Sequence, residues 1–164
     1  SRKELARGLY EELKPHYPDL KKAEVKKAVD AGFAEYEAYM NDIAAEGERA
    51  VKWARDNGKP IMILAGRPYH VDSEIGHGID KLAVSLGFAV VSEDAVYRLA
   101  ETPDVHVLNQ WTYHSRLYRS AVYAAQNKDV QLVQLVSFGC GVDAMAGMQL
   151  AMPVMMLFGA FTVT

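Results

Sequence analysis

Apolar side chains recur at spacings of three and four over the first third of the chain, then gather into short continuous runs. Residues 2–13, RKELARGLYEEL, read as a short helix stopped by Pro15 and Pro18. Asp19 offers an N-cap for a second helix. Over residues 20–57, Val25, Ala28, Val29, Phe33, Tyr36 and Met40 form a one-sided stripe of helical period. That stretch is longer than a usual globular helix, so Gly47 is expected to divide it, and Asn57-Gly58 closes it with turn chemistry.

From residue 59 the pattern changes. KPIMILAG reads as a buried strand, IGHGIDKLAVSLG as a helix ending at Gly87, and FAVVSED as a second strand. Residues 95–110 carry no clear period and break at Pro103. QWTYHSRLYRSAVYAAQN is an amphipathic helix whose inner face is expected to be Leu117, Tyr118, Ala121, Val122 and Ala125. VQLVQLVSFGCG contains a third strand, VDAMAGMQLA reads as a helix, and PVMMLFG as a fourth strand. Strands that alternate with helices and are apolar almost throughout imply a mainly parallel sheet covered on both faces. The division expected is a helical extension over residues 1–57 and an α/β domain over 58–164.

Composition narrows the function classes. The chain has 164 residues, half of them hydrophobic, and a formal charge of −3, which advertises neither nucleic acid nor an anionic membrane. Its most apolar stretch, MPVMMLFGAFTV, is shorter than the roughly 20 residues a membrane helix needs. A single cysteine rules out an internal disulfide and suits a reducing cytoplasm. The first residue is Ser, not Met, so the sequence reads as an excised piece of a larger multidomain protein.

In open parallel sheets ligands bind beyond the carboxyl ends of the strands. The segments that follow the expected strands here are GRPYH, SED, SFGCGVD and FGAF. In the first, Gly66 permits close approach, Pro68 stiffens the loop, and Arg67 offers a planar fork of donors for carboxylate or phosphate. Tyr69 and His70 add a donor and a titratable ring. His70, Asp72, Glu74 and His77 are four side chains that could in principle hold a divalent ion, but they lack the paired histidines of a zinc hydrolase helix. Gly76 and Gly78 begin a dinucleotide-like pattern, yet Lys81 stands where its third glycine belongs, and no P-loop is present. A phosphate at the helix start near Gly76 remains open on dipole grounds. In the later helix, Asn109, Tyr113 and Arg116 fall where they would help to hold an anionic ligand, with an ordinary amphipathic helix as the plainer account.

Cys140 lies between two glycines, behind an apolar run and ahead of a helix. The partial positive charge of a helix start favours thiolate, the form that attacks electrophiles or binds metal. A nucleophile needs a base, for which His70, His77 and His114 are the candidates. A small buried filler is the third account of this thiol.

The blocks GRPYHVDSEIGHGI, LGFAVVSED, NQWTYHSRLYRSA and LVQLVSFGCGVDA resemble, in that order, the CoA-substrate-specific enzyme activase-related domain of activators of 2-hydroxyglutaryl-CoA dehydratase. The likeness covers roughly residues 58–147, and the last stretch, GMQLAMPVMMLFGAFTVT, departs from the family's pattern. The resemblance implies a Rossmann-like three-layer α/β domain with a small, mainly parallel sheet and an N-terminal helical extension. It implies further that Cys140 is one ligand of a [4Fe–4S] cluster in an anaerobic, cytoplasmic iron–sulfur protein. The remaining thiolates would then come from other domains of the parent protein or from a dehydratase subunit. ATP would act only through other domains, driving electron transfer to a CoA-thioester dehydratase, and the isolated domain would be inactive. Arg67, Tyr69, His70, Asn109, Tyr113 and Arg116 are the expected pocket, with a CoA thioester as a candidate ligand and neither nucleic acid nor membrane as partner. The alternatives are a module that binds acyl-CoA or a nucleotide phosphate without redox chemistry, and a domain that only links its neighbours.

Overall fold

The computed structural model describes residues 1–72, 74–103 and 111–136. Two compact units divide it, Ser1–Asp42 and the chain from Ile43 onward.

The first unit is a helical hairpin. Its first helix, α1 (Arg2–Leu13), opens on a capping box in which the Glu4 N–H donates to Ser1 Oγ at 3.3 Å. The turn is closed by Lys14, whose Nζ donates to the carbonyls of Pro18 at 2.5 Å and Leu20 at 2.9 Å. The second helix, α2 (Lys22–Asp56), follows. Its cap is not the expected Asp19: the Lys21 N–H donates to the Glu24 carboxylate at 2.9 Å. Arg2 reaches across from α1, stacks 4.6 Å over the Phe33 ring and pairs with Glu37.

Gly47 does not divide α2, which runs unbroken for 35 residues. The glycine has a different cause, which lies in the second unit. A Cβ at position 47 would stand 2.1 Å from the carbonyl oxygen of Ala95. The side chain is absent because another backbone occupies its place.

The second unit is built on three strands, β1 (Ile61–Ala65), β2 (Ala89–Ser92) and β3 (Val130–Gln134), all parallel in the order β2-β1-β3. Between β1 and β2 lie two short helices, α3 (Pro68–Val71) and α4 (Ile79–Ser85). Between β2 and β3 come α5 (Glu93–Val96), a 3-10 turn at Tyr97–Leu99, and α6 (Thr112–Gln126). Central β1 is buried almost throughout, as a parallel strand with neighbours on both edges should be.

Register decides which side chains share a face. Ile61 pairs with Val130 and Ile63 with Val91. These four form one cluster with Val51 and Ala54 of α2, Val96 of α5 and Tyr123 of α6. A second cluster joins Ala65 to Leu117, Tyr118 and Ala121 of α6. Ile61, Ile63 and Leu117 are fully buried, each stabilising by about 1.5–3 kcal/mol. The inner face of α6 is wider than its apolar period implies. His114, Ser120 and Tyr123 are buried with Leu117, Tyr118 and Ala121, whereas Val122 and Ala125 are only half-buried.

The end of α2 is tied to the turn before β3. Arg55 donates through Nε to Asp129 at 2.7 Å and through Nη2 to Asn127 at 2.8 Å. That pairing holds the Asp129 carboxyl below its ordinary range and raises Arg55. Both partners are about two-fifths exposed, so the pair contributes no more than about 1 kcal/mol. The helix and fourth strand expected beyond residue 140 lie outside the described residues. No described helix is long and apolar enough to cross a membrane.

Candidate functional site

Parallel strands put all three of their carboxyl ends on one edge of the sheet, and that edge carries the polar chemistry of the second unit. Each strand ends into a different polar residue: Arg67 two residues past β1, Glu93 directly after β2, and Gln134 as the last residue of β3. The start of α6 comes back to the same edge, because this helix runs opposite to the strands it joins and brings Tyr113 and Arg116 with it.

Arg67 precedes α3, where Pro68 pre-sets the first helical dihedral. Its guanidinium carbon lies 4.7 Å from the centroid of the Tyr113 ring. Two candidates more than forty positions apart in sequence are therefore brought together. His70 folds back beneath Arg67, and its Nδ1 accepts the Arg67 backbone N–H at 3.1 Å. In the neutral ring the proton therefore sits on Nε2. Gly66 makes room for this: a Cβ there would meet His70 Nδ1 at 2.9 Å. Tyr69 packs its ring 4.3 Å from that of His70 and is 43 % exposed. The His114 ring is buried between Trp111 and Tyr113, each 5.2 Å away between centroids.

Arg116 points its Nη2 at Glu93 Oε1, 3.2 Å away. Burial pushes the Glu93 carboxyl above its ordinary range, and neighbouring Asp94 pushes the same way against the pull of Arg116. Ser120 Oγ donates to the Glu93 carbonyl at 3.1 Å, which fixes α6 on the end of β2. Among the described residues, Arg116 Nε and Gln134 Nε2 are buried atoms with no hydrogen-bond partner. Both are donors, and so is the Arg67 guanidinium. The edge is thus furnished for an acceptor or an anion.

The helix start near Gly76 is furnished differently. The Asp72 carboxylate accepts from the N–H groups of Ile75 at 2.8 Å and Glu74 at 2.9 Å, and these bonds hold its pKa below the usual range. These two donors precede α4, which itself begins at Ile79. Helix α4 has only seven residues, too short for a strong terminal field. His77 and Gly78 both adopt positive φ, at 55° and 72°, which bends the loop sharply into α4. Gly76 is held by space: a Cβ would stand 2.6 Å from the carbonyl oxygens of His70 and Asp72.

Among the described residues no group of three or more His, Cys, Asp and Glu side chains is placed to hold a metal, the His70, Asp72, Glu74 and His77 set included. An iron–sulfur cluster needs about three or four thiolates, and the chain has one cysteine. These residues do not by themselves fit a cluster. Asn109 and Cys140 lie outside the described residues.

Residues 1–96 match the family described as the CoA enzyme activase uncharacterised domain (DUF2229). The chain belongs to this family. The matched span runs from α1 through β1 and β2 to the end of α5, so the helical hairpin is as much a part of the activase domain as the strands are. No curated protein and no solved structure matches the chain. In the activase domain two residues at the strand ends, Glu93 and Gln134, stand beside the expected candidates. The signal for Glu93 was present in SED, an acid directly at a strand end with Arg116 on the helix that returns to it. Gln134 had no such signal, since an amide inside an apolar strand shows its meaning only when left unpaired.

Proposed function

We propose that this activase domain shapes a pocket at the carboxyl edge of its sheet in a larger iron–sulfur protein of the 2-hydroxyacyl-CoA dehydratase system. Cys140 supplies one thiolate ligand of a [4Fe–4S] cluster there. The other thiolates come from a different domain or from a dehydratase subunit, and the ATP that drives electron transfer is handled elsewhere. Arg67, Tyr69, His70, Asn109, Tyr113 and Arg116 line the pocket.

The observation that carries this reading is the strand order. With β1 central, the chain leaves β1 toward β2 on one edge and returns after β2 to β3 on the other, so the carboxyl ends of β1 and β3 lie side by side at the edge where open α/β sheets take their ligands. The Leu135 N–H donates to the Ala65 carbonyl at 2.7 Å, so the chain leaves β3 directly beside Gly66 and Arg67. Cys140 follows five residues later, a reach of at most about 18 Å. Anoxic reconstitution of the intact parent protein with iron and sulfide tests the assignment. Cys140→Ser is expected to lower bound iron and to change the cluster's absorption spectrum. Unchanged iron and spectrum overturn it.

The buried Arg116 Nε and Gln134 Nε2, together with the Arg67 guanidinium beside Tyr113, favour a second reading, in which the same edge binds the phosphates or thioester carbonyl of an acyl-CoA without redox chemistry. Titration calorimetry with CoA is then expected to show binding that Arg67→Ala weakens ~10-fold, the loss of one charge-assisted contact. No heat from the unmodified chain removes this reading.

A further inference from the structure

The hairpin of Ser1–Asp42 has two unlike sides. One carries an open groove of about 640 Å³ between α1 and the first part of α2. Leu5, Leu9 and Leu13 form its α1 wall at 47, 39 and 38 % exposure, while Val25, Val29 and Phe33 make its floor and opposite wall. Leucines spaced by four on a helix are neighbours along one stripe, and here that stripe has nothing over it among the described residues of the hairpin. Gly32 lines the same groove, and a Cβ there would meet nothing within 4 Å. A glycine inside a helix costs about 0.5–1 kcal/mol against alanine. No internal contact demands this one, and its absent side chain keeps the groove open to a close-packed backbone.

The rims carry mostly negative charge. The helical repeat of 3.6 residues puts Glu12 at the outer edge of α1, and Glu24 and Glu35 at the outer edge of α2, against Lys21 alone. Glu24 itself lines the groove. The other side of the hairpin is the reverse: Arg2, Lys3, Arg7, Lys22 and Lys26 gather there with only Glu11 and Asp30.

We propose that the acidic-rimmed groove is a docking site for an amphipathic α-helix of a partner protein, apolar along one stripe and basic on its flanks. The leucine wall runs from Leu5 to Leu13, eight rises of 1.5 Å or about 12 Å, so the partner helix needs about three turns. Its basic flanks meet Glu12, Glu24 and Glu35. A second copy of this groove would set carboxylates against carboxylates, and an anionic lipid surface would meet the same sign.

The test uses the full chain and two synthetic amphipathic peptides with the same leucine stripe, one flanked by lysines and one by glutamates, in fluorescence anisotropy. The basic peptide is expected to bind ~10-fold or more tighter than its acidic twin, with the difference shrinking as salt is raised. Leu9→Glu abolishes binding, and Glu12→Lys with Glu35→Lys reverses the preference while far-UV circular dichroism is unchanged. The two replaced glutamates are exposed surface positions, so this variant retains the fold even where Leu9→Glu disturbs it. Equal binding of both peptides, or of neither, overturns the proposal. So does a concentration-dependent dimer that Leu9→Glu dissolves, or binding to anionic vesicles in preference to the basic peptide.

Discussion

Gly47→Ala is expected to destabilise the second unit by about 3 kcal/mol, although alanine is the better helix former. On an exposed helix this change gains up to about 1 kcal/mol. Here the new methyl carbon would stand 2.1 Å from the Ala95 carbonyl oxygen, 2.7 Å from its carbon and 2.9 Å from its Cβ. Neither backbone can yield alone: α2 is a continuous helix on both sides of Gly47, and α5 is anchored through Val96 in the core. The two helices must separate, which uncovers Val51, Ala54 and Val96 together. Urea unfolding checks this, with Gly32→Ala as the contrast, since a methyl group at position 32 meets nothing and should leave stability level or raised. Equal behaviour of the two alanine variants would show that α2 and α5 do not cross closely at Gly47.

Arg116→Met is expected to cost about 3 kcal/mol at neutral pH and much less in acid. The side chains of Arg116 and Glu93 are 19 and 6 % exposed, so removing the cation strands a carboxylate with little water to take its place. The direction with pH follows from Glu93. Its carboxyl is raised in the fold above its ordinary 4.5, chiefly by burial and then by Asp94, and Arg116 is the group that opposes the rise. A carboxyl raised in this way lets the folded state bind the extra proton, so its contribution is complete below 4.5 and is lost as pH climbs through the folded value. Without Arg116 the folded value moves higher and the loss grows. Denaturation of the variant at pH 7.5 and at pH 5 should therefore show a gap from the parent that narrows in acid. Adding Glu93→Gln should recover most of it at pH 7.5. A deficit that is the same at both pH values would mean that packing, and not the stranded charge, is what the arginine supplies.

Much of the frame was legible because it depends on local rules. The stretch of residues 2–13 stopped by Pro15, and the apolar run ending at Ala65, each report one element to the reader of the sequence. So does the turn at Gly87, whose φ of 97° only glycine adopts easily. What was not legible depends on what stands across from a residue. Gly47 looked like a break because intrinsic propensity is all a sequence shows, while its cause is the carbonyl of Ala95, forty-eight positions away. Asp72 looked like one of four carboxylate and imidazole groups for an ion, and only geometry shows that its carboxylate instead accepts from the N–H groups of Glu74 and Ile75. In the candidate site, Arg67 and Tyr113 were each read as strand-end residues. Their stacking, the burial of Glu93 and the unpaired amide of Gln134 follow from register and crossover, which no single segment encodes.

The strand first made by the chain is the one in the middle of the sheet, and its second neighbour arrives only at Val130. A fragment that stops where the family match stops, at residue 96, would expose the whole β3-facing side of β1. Its backbone amides and carbonyls from Ile61 to Ala65 would then be a bare template, ready to recruit any extended peptide, another copy included. Any working boundary for this module has to lie past Gln134, because the centre of its sheet is not sealed before that point.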